Sequence, residues 1–359
     1  MATTDRPPRN GFVRMARKLY QPIGFSKGYN AVLWFIFSGA LFGFTLARFP
    51  STNVYGVFCN QDAPGPNLAA PGECYHYLQP YYATGMMLHL AGVLPASLFA
   101  LVQFVPVIRH KYIIIHRISG YLSILLSFMG VVGAIMIVPI SFGGSLEIQA
   151  AGGFLAIIFV SSIIMGYINI KRLQIEQHRI WMLRAWFYAT SIITLRIVFI
   201  IAANIISTRG PFFSSIPCGQ LVFTIGRDLV QQEYPSCAPF FSGEDLSAHA
   251  AVRANMASPK HASEAAAALN VAFGMAAWIA FAIHMVGVEI YIKLTPTEHE
   301  RLRQVSYERQ RKAGYSNPGR AGLTIDRFGD SERWVPLNER GDTNVHSHGF
   351  FDTSELKSA

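Results

Sequence analysis

The chain has 359 residues, of which 51% are hydrophobic and only 14% charged, and it carries a formal net charge of +9. Its apolar residues gather in blocks near the ~20 residues that a helix needs to cross a ~30 Å hydrocarbon core, which makes it a polytopic helical membrane protein. The basic excess excludes a nucleic-acid partner, because Lys and Arg stand beside apolar blocks rather than on one face of a soluble domain.

In chain order, a basic segment at 1–29 precedes six predicted spans at about 30–49, 82–106, 113–138, 149–170, 179–206 and 266–292, each bounded by charged, Pro-rich or Gly-rich sequence. The first block is longer than a cleavable signal core and acts as an uncleaved signal anchor. Lys and Arg accumulate on the cytosolic side. Arg6, Arg9, Arg14, Arg17, Lys18 and Lys27 precede span one. Arg109, Lys111 and Arg117 follow span two, and Lys171, Arg172 and Arg179 follow span four. The loops at 50–81 and 207–265 lack this excess. The expected architecture is therefore an all-α bundle of six transmembrane helices with both termini cytosolic, in a secretory-pathway or plasma membrane.

All four cysteines fall in the two long loops assigned outside, where disulfides persist. Three pairings are open. The simplest joins Cys59 to Cys74 and Cys218 to Cys237, one bridge in each loop. The tail at 294–359 opens with Thr295-Pro296-Thr297-Glu298, a helix-start signal, and a basic run through Arg301, Arg303, Arg309, Arg311 and Lys312. Such a helix suits anionic headgroups. From about 313 onward the composition lacks an apolar period and is expected to be disordered.

Polar residues inside the spans are costly and mark candidate sites. His89 lies about 25 Å from the inner end of span two and Arg196 about 27 Å along span five, so both belong to the outer half. Arg196 has no counter-charge in spans one to five, which contain no Asp or Glu. Something anionic or carbonyl-rich must meet it. Together with Arg184 and with His284 of span six, these residues form a candidate subsite for an anionic or lipid-like ligand.

The phrases His116-Arg117-Ile118-Ser119-Gly120-Tyr121 and His178-Arg179-Ile180-Trp181-Met182 each open a span. Two imidazoles at one membrane level are what a six-coordinate haem b requires, with His116 and His178 as iron ligands and Arg117 and Arg179 facing the propionates. The competing account makes each boundary His-Arg pair a headgroup anchor or helix-start device. A two-haem arrangement of the cytochrome b561 kind is strained, since His89 has no level-matched partner.

His89, Gln103, Arg109, His116, Arg117, Gly120, Gln177, His178, Arg179, Trp181, Met182, Arg184, Leu195 and Arg196 together resemble a pattern in the bacterial and fungal membrane-protein family known as domain of unknown function 2306. The resemblance covers about 85–205 and implies the topology; the family has no settled biochemical role. The first span, the long Cys-bearing outer loop and the tail lie outside it and look like fungal elaborations.

No Walker phosphate loop, GxSxG turn, HExxH or clustered His box is present, so hydrolase, NTPase and di-iron oxygenase readings lose support. Three functions stay open: redox work with bound haem, a non-catalytic transporter, receptor or assembly protein holding an anionic or lipid-like ligand, and a cofactor-free membrane enzyme using His89 or His178 as acid or base.

Overall fold

The structure, a computed structural model, describes residues 10–25, 27–60, 68–337 and 339–340. Six of its helices are long and apolar enough to cross a membrane. They are α1 (Gly28–Arg48), α2 (Pro80–Gln103), α3 (Ile113–Ile137), α4 (Leu146–Lys171), α5 (Ile175–Arg209) and α6 (Ala262–Lys293). A further helix, α7 (Pro296–Lys312), follows the sixth. The chain divides into two compact units, one comprising 1–161 with 184–288 and the other 162–183 with 289–359.

In the first unit α2 and α3 form a hairpin in backbone contact. A Cβ on Gly92 would stand 2.4 Å from Gly130 N, and one on Gly133 would stand 2.3 Å from His89 N. Small residues let helices approach where the bilayer offers no hydrophobic drive to hold them together. Ser123 Oγ ties the same seam by donating to the Ala96 carbonyl at 3.0 Å. The buried face of α6 follows the same rule with Ala267, Ala268, Ala276 and Ala280, each fully buried.

The loop between α5 and α6 is a small folded element. Its strands β1 (Phe213–Pro217) and β2 (His249–Arg253) pair antiparallel, Phe213 opposite Arg253. Cys218–Cys237 closes beside them, and Cys59–Cys74 closes the other long loop, so both intraloop pairings form. The sheet is the one departure from an all-helical chain among the described residues.

In the second unit, α7 and the following residues fold onto the turn between α4 and α5. Gln310 Nε2 donates to the Arg172 carbonyl at 2.9 Å and to Gln174 Oε1 at 2.9 Å. Gln174 Oε1 also accepts from Gly322 N–H at 2.8 Å, and Asn169 Oδ1 accepts from Leu323 N–H at 2.8 Å. Ser306 Oγ donates to Glu176 at 2.6 Å. The expectation of disorder from 313 is thereby corrected for the described residues of 313–340. Their backbone is satisfied by buried side-chain amides rather than by an apolar stripe, so no hydropathy period announces the fold. The rest of that expectation, 341–359, lies outside the described residues, as do Arg6 and Arg9 of the N-terminal segment.

Helix ends differ from the predicted spans where capping outranks hydropathy. Span two ends at Gln103 rather than 106, because Pro106 opens a separate short helix, Pro106–Lys111. Span five runs from Ile175 to Arg209, since its polar flanks still continue the helical ladder.

Candidate functional site

The first unit gathers an ionisable cluster at its disulfide-bearing end. Cys59–Cys74 anchors the helical turn Cys74–Tyr77, which places Glu73 and Tyr77 in the interior at 3% and 4% exposure. Both Glu73 carboxylate oxygens accept from Phe142 N–H, at 3.1 and 3.2 Å. Tyr77 Oη pairs with Ser141 Oγ at 2.9 Å.

Phe142 adopts a left-handed conformation, φ 48 and ψ 46, which a bulky residue rarely holds without compensation. That conformation presents its N–H to Glu73. Its ring stacks on Phe273 at 4.3 Å between centroids and meets Phe199 edge-on at 5.4 Å.

The Arg196 guanidinium stands over all three rings, 5.4 Å from Phe142, 5.7 Å from Phe199 and 5.7 Å from Phe273. A desolvated cation over an aromatic face gains about 2 kcal/mol, so three faces offset much of the cost of placing Arg in a span. Arg196 Nε is buried and makes no hydrogen bond. Its electrostatic partners are Glu73 and Tyr77, with Arg48 as a like charge. A loop carboxyl, Glu73, thus lies within electrostatic reach of Arg196.

Burial pushes the Glu73 carboxyl up to about 7, against the opposing pull of the Phe142 N–H, Tyr77 and Arg196. Burial also raises the Tyr77 phenol, and the nearby Glu73 adds to that rise. Burial lowers the His76 imidazole, which a hydrogen bond to Gln220 partly restores.

His89 of α2 lies within electrostatic reach of Arg196. Its Nδ1 stands 2.9 Å from the Gly130 carbonyl. A carbonyl only accepts, so Nδ1 carries the proton and Nε2 holds a lone pair. Carboxyl, guanidinium, phenol and imidazole are the parts of a proton-transfer site with an anion-stabilising donor.

Residues 86–218 match the family model of a predicted membrane protein, domain of unknown function 2306. The chain is also 28% identical over 228 residues to Ava biosynthesis cluster protein G of Aspergillus versicolor, a match covering 55% of this chain and 65% of that protein. The match therefore spans less than two thirds of the relative's length. No solved structure matches the chain.

The two motif phrases inside the matched segment sit on helix-hairpin seams. Gln103 Nε2 donates to Ser119 Oγ at 2.6 Å, and a Cβ on Gly120 would meet Gln103 Oε1 at 3.3 Å. In the second unit His178 Nδ1 donates to the Gly166 carbonyl at 2.9 Å, and a Cβ on Gly166 would stand 2.4 Å from Met182 Cε. Each phrase thus clamps the helix it opens to the helix before it.

This bears on the haem expectation. His116 belongs to the first unit and His178 to the second. Beside His116, Ile114, Ile115 and Ile118 are 68%, 51% and 58% exposed, and Arg117 is exposed too. Arg179 Nη2 donates to Thr295 Oγ1 at 3.1 Å, and its guanidinium lies over Tyr291 at 5.8 Å.

His284 is occupied on both nitrogens, Nδ1 donating to the Phe187 carbonyl at 2.7 Å and Nε2 accepting from Thr194 Oγ1 at 2.8 Å. It ties α5 to α6. Arg184 is half-buried on α5. Sequence reasoning missed Glu73 and Phe142. Adjacency of Glu73 to a bridged cysteine was the available signal, since a carboxyl next to a disulfide is held in one place.

Proposed function

We propose that this multi-pass membrane protein acts in a small-molecule biosynthetic route as a cofactor-free enzyme. In this reading it moves a proton on a substrate with an apolar body and a carbonyl or carboxylate head. The observation that carries the reading is Glu73, a carboxyl poised near pH 7 beside a caged intramembrane Arg196 whose Nε–H has no acceptor. A general base works best when its pKa lies near the working pH.

Glu73 takes a proton from carbon next to the substrate carbonyl, and the electron pair of that C–H bond moves onto the oxygen. Arg196 stabilises that oxygen as its charge grows, without the cost of reorganising solvent. Returning the proton at another carbon completes an isomerisation that needs no oxidant or reductant. His89 Nε2 accepts a hydrogen bond from a substrate hydroxyl and fixes its orientation. The biosynthesis-cluster name of the Aspergillus versicolor relative supports a place in small-molecule metabolism.

The test is an untargeted metabolite comparison of the producing organism carrying wild type, a deletion, Glu73→Gln or His89→Gln, with protein level and both disulfides checked in each. Glu73→Gln is expected to reproduce the deletion, with one precursor accumulating and its isomer-derived product falling by at least about 100-fold, the lower range for loss of an acid–base group. A Glu73→Gln profile equal to wild type, with the deletion altered, sinks this reading.

A further inference from the structure

The second unit contains a cavity of about 410 Å³ with three arginines in its lining, Arg172, Arg320 and Arg327, together with Tyr315, Ser316 and Asn317. Arg172 immediately follows the end of α4 at Lys171, so the cavity opens where a span leaves the bilayer. It uses no residue of the Glu73 site.

The charges in this cavity are not balanced. Asp326 is the carboxylate that serves it, with a side chain 1% exposed, and it is shared. Arg303 Nη2 donates to Asp326 Oδ1 at 2.6 Å, and Arg320 Nε stands 3.3 Å from Oδ2. Among the described residues no carboxylate pairs with Arg172 or Arg327. Both donate to carbonyls instead. Arg172 Nη1 donates to Ala321 O at 3.5 Å, and Arg327 Nη1 donates to Ala321 O at 2.5 Å and to Gly322 O at 3.3 Å.

Because they share one carbonyl, the two Nη1 atoms lie at most about 6 Å apart. Two guanidinium groups held that close repel each other unless an anion lies between them. Each also keeps donors of its planar fork beyond the one spent on the carbonyl, and that fork matches the oxygens of a phosphate. Ser316 and Asn317 at the rim add neutral donors.

We propose that this cavity is a phosphate-group site. The residues beside it favour a carrier drawn from the adjoining leaflet. Ile325 and Phe328 flank Arg327 and are 69% and 66% exposed, so an apolar pair brackets the charged opening. The Arg327 guanidinium lies over the Phe328 ring at 4.9 Å, which holds the group at the mouth. A lipid phosphate with its chains toward Ile325 and Phe328 fits that arrangement; a free phosphate uses the arginines alone.

The experiment titrates the detergent-purified full chain with short-chain phosphatidic acid, with inorganic phosphate and with short-chain phosphatidylcholine, reading heat and thermal midpoint. Saturable binding of a phosphate-bearing probe is expected, weakened about 10-fold or more in Arg172→Gln and in Arg327→Gln, as for loss of one charge-assisted hydrogen bond. Ser316→Glu places a negative charge at the exposed rim, leaves the arginine–carbonyl bonds intact and is expected to weaken binding equally. It keeps the test open where an arginine variant fails to fold.

Tighter binding of phosphatidic acid than of phosphate, weakened in Ile325→Ser with Phe328→Ser, assigns the lipid source. Equal binding that ignores those two changes assigns free phosphate. No saturable binding of any of the three probes, or binding unchanged in all three charge variants, overturns the site.

Discussion

Glu73 in the first unit and Glu176 in the second are both withdrawn from solvent, at 3% and 0% exposure. Their surroundings set them apart. Glu176 accepts from the Gln174 amide and from the Ser306 hydroxyl, and that network continues through Gln310 to the backbone of Gly319. Glu73 receives a single backbone N–H, that of Phe142, shared between its oxygens. Burial is therefore not what separates a working carboxyl from a structural one. The hydrogen-bond partners are, two side-chain donors at Glu176 against one backbone N–H at Glu73 with the Tyr77 phenol nearby. Glu176 belongs to a network that holds a fold together, while burial raises the Glu73 carboxyl well above its ordinary value.

Breaking the structural carboxyl has the largest expected effect. Glu176→Ala takes one acceptor from the buried Gln174 amide and Ser306 hydroxyl, which keep the Gly319 and Leu302 carbonyls, and opens a cavity where a fully buried side chain stood, together about 3 kcal/mol or more. The loss is expected in the second unit alone, as rapid amide exchange and proteolysis across 313–340, with α2 and α3 still protected. Exchange unchanged in that segment would remove the network from any structural role.

Next comes the bridge that positions the other carboxyl. Cys59→Ala with Cys74→Ala opens a loop of sequence separation 15, and closing a loop of that size contributes about 3 kcal/mol. A lowered melting midpoint is expected along with the metabolite defect of Glu73→Gln. Retained activity would show that the carboxyl finds its place without the crosslink.

The poised carboxyl leaves its own signature in the pH dependence of stability. Glu73 is pushed from an ordinary 4.5 to about 7, so between those values the folded chain holds a proton that the unfolded chain releases. Stability from this group is full below pH 4.5 and is lost as pH rises through 7, by about 3 kcal/mol at most. Wild type is expected to melt lower at pH 8 than at pH 6, and Glu73→Gln is expected to flatten that difference. An undiminished slope in Glu73→Gln would place the titrating group elsewhere.

These contrasts also explain what the sequence reveals and what it hides. The six spans and both disulfides are legible, because hydropathy and loop membership are local properties. The need of Arg196 for an anionic or carbonyl-rich partner is legible too, since an unpaired charge in a span is costly wherever it lies. Which carboxyl comes within its electrostatic reach is not. Glu73 sits in a loop, separated from Arg196 by spans two to four, and reaches it through the strained Phe142, which no periodicity marks. The folded tail is hidden for a different reason: Gln174, Gln310 and Asn169 hold it by amide hydrogen bonds, and such residues read as solvated loop. The doubled His-Arg phrases stand out for their sequence, and Gly120 in the first and His178 in the second lie on hairpin seams.

The smallest expected effect sharpens the comparison from the side of histidine. His89 and His284 both donate from Nδ1 to a carbonyl of a neighbouring helix, Gly130 and Phe187. They differ at Nε2, which in His284 accepts from Thr194 Oγ1. Thr194→Val removes that donor while keeping the side-chain shape, and is expected to lower stability by about 1 kcal/mol, the net contribution of one hydrogen bond, with no change in metabolite profile. His89→Gln keeps a donor to Gly130, so it is expected to leave the melting midpoint almost unmoved and to lower product formation. If the two histidines responded alike, with both variants altering stability alone, the unspent lone pair of His89 would carry no chemistry, and the distinction between an occupied imidazole and a working one would collapse at this site.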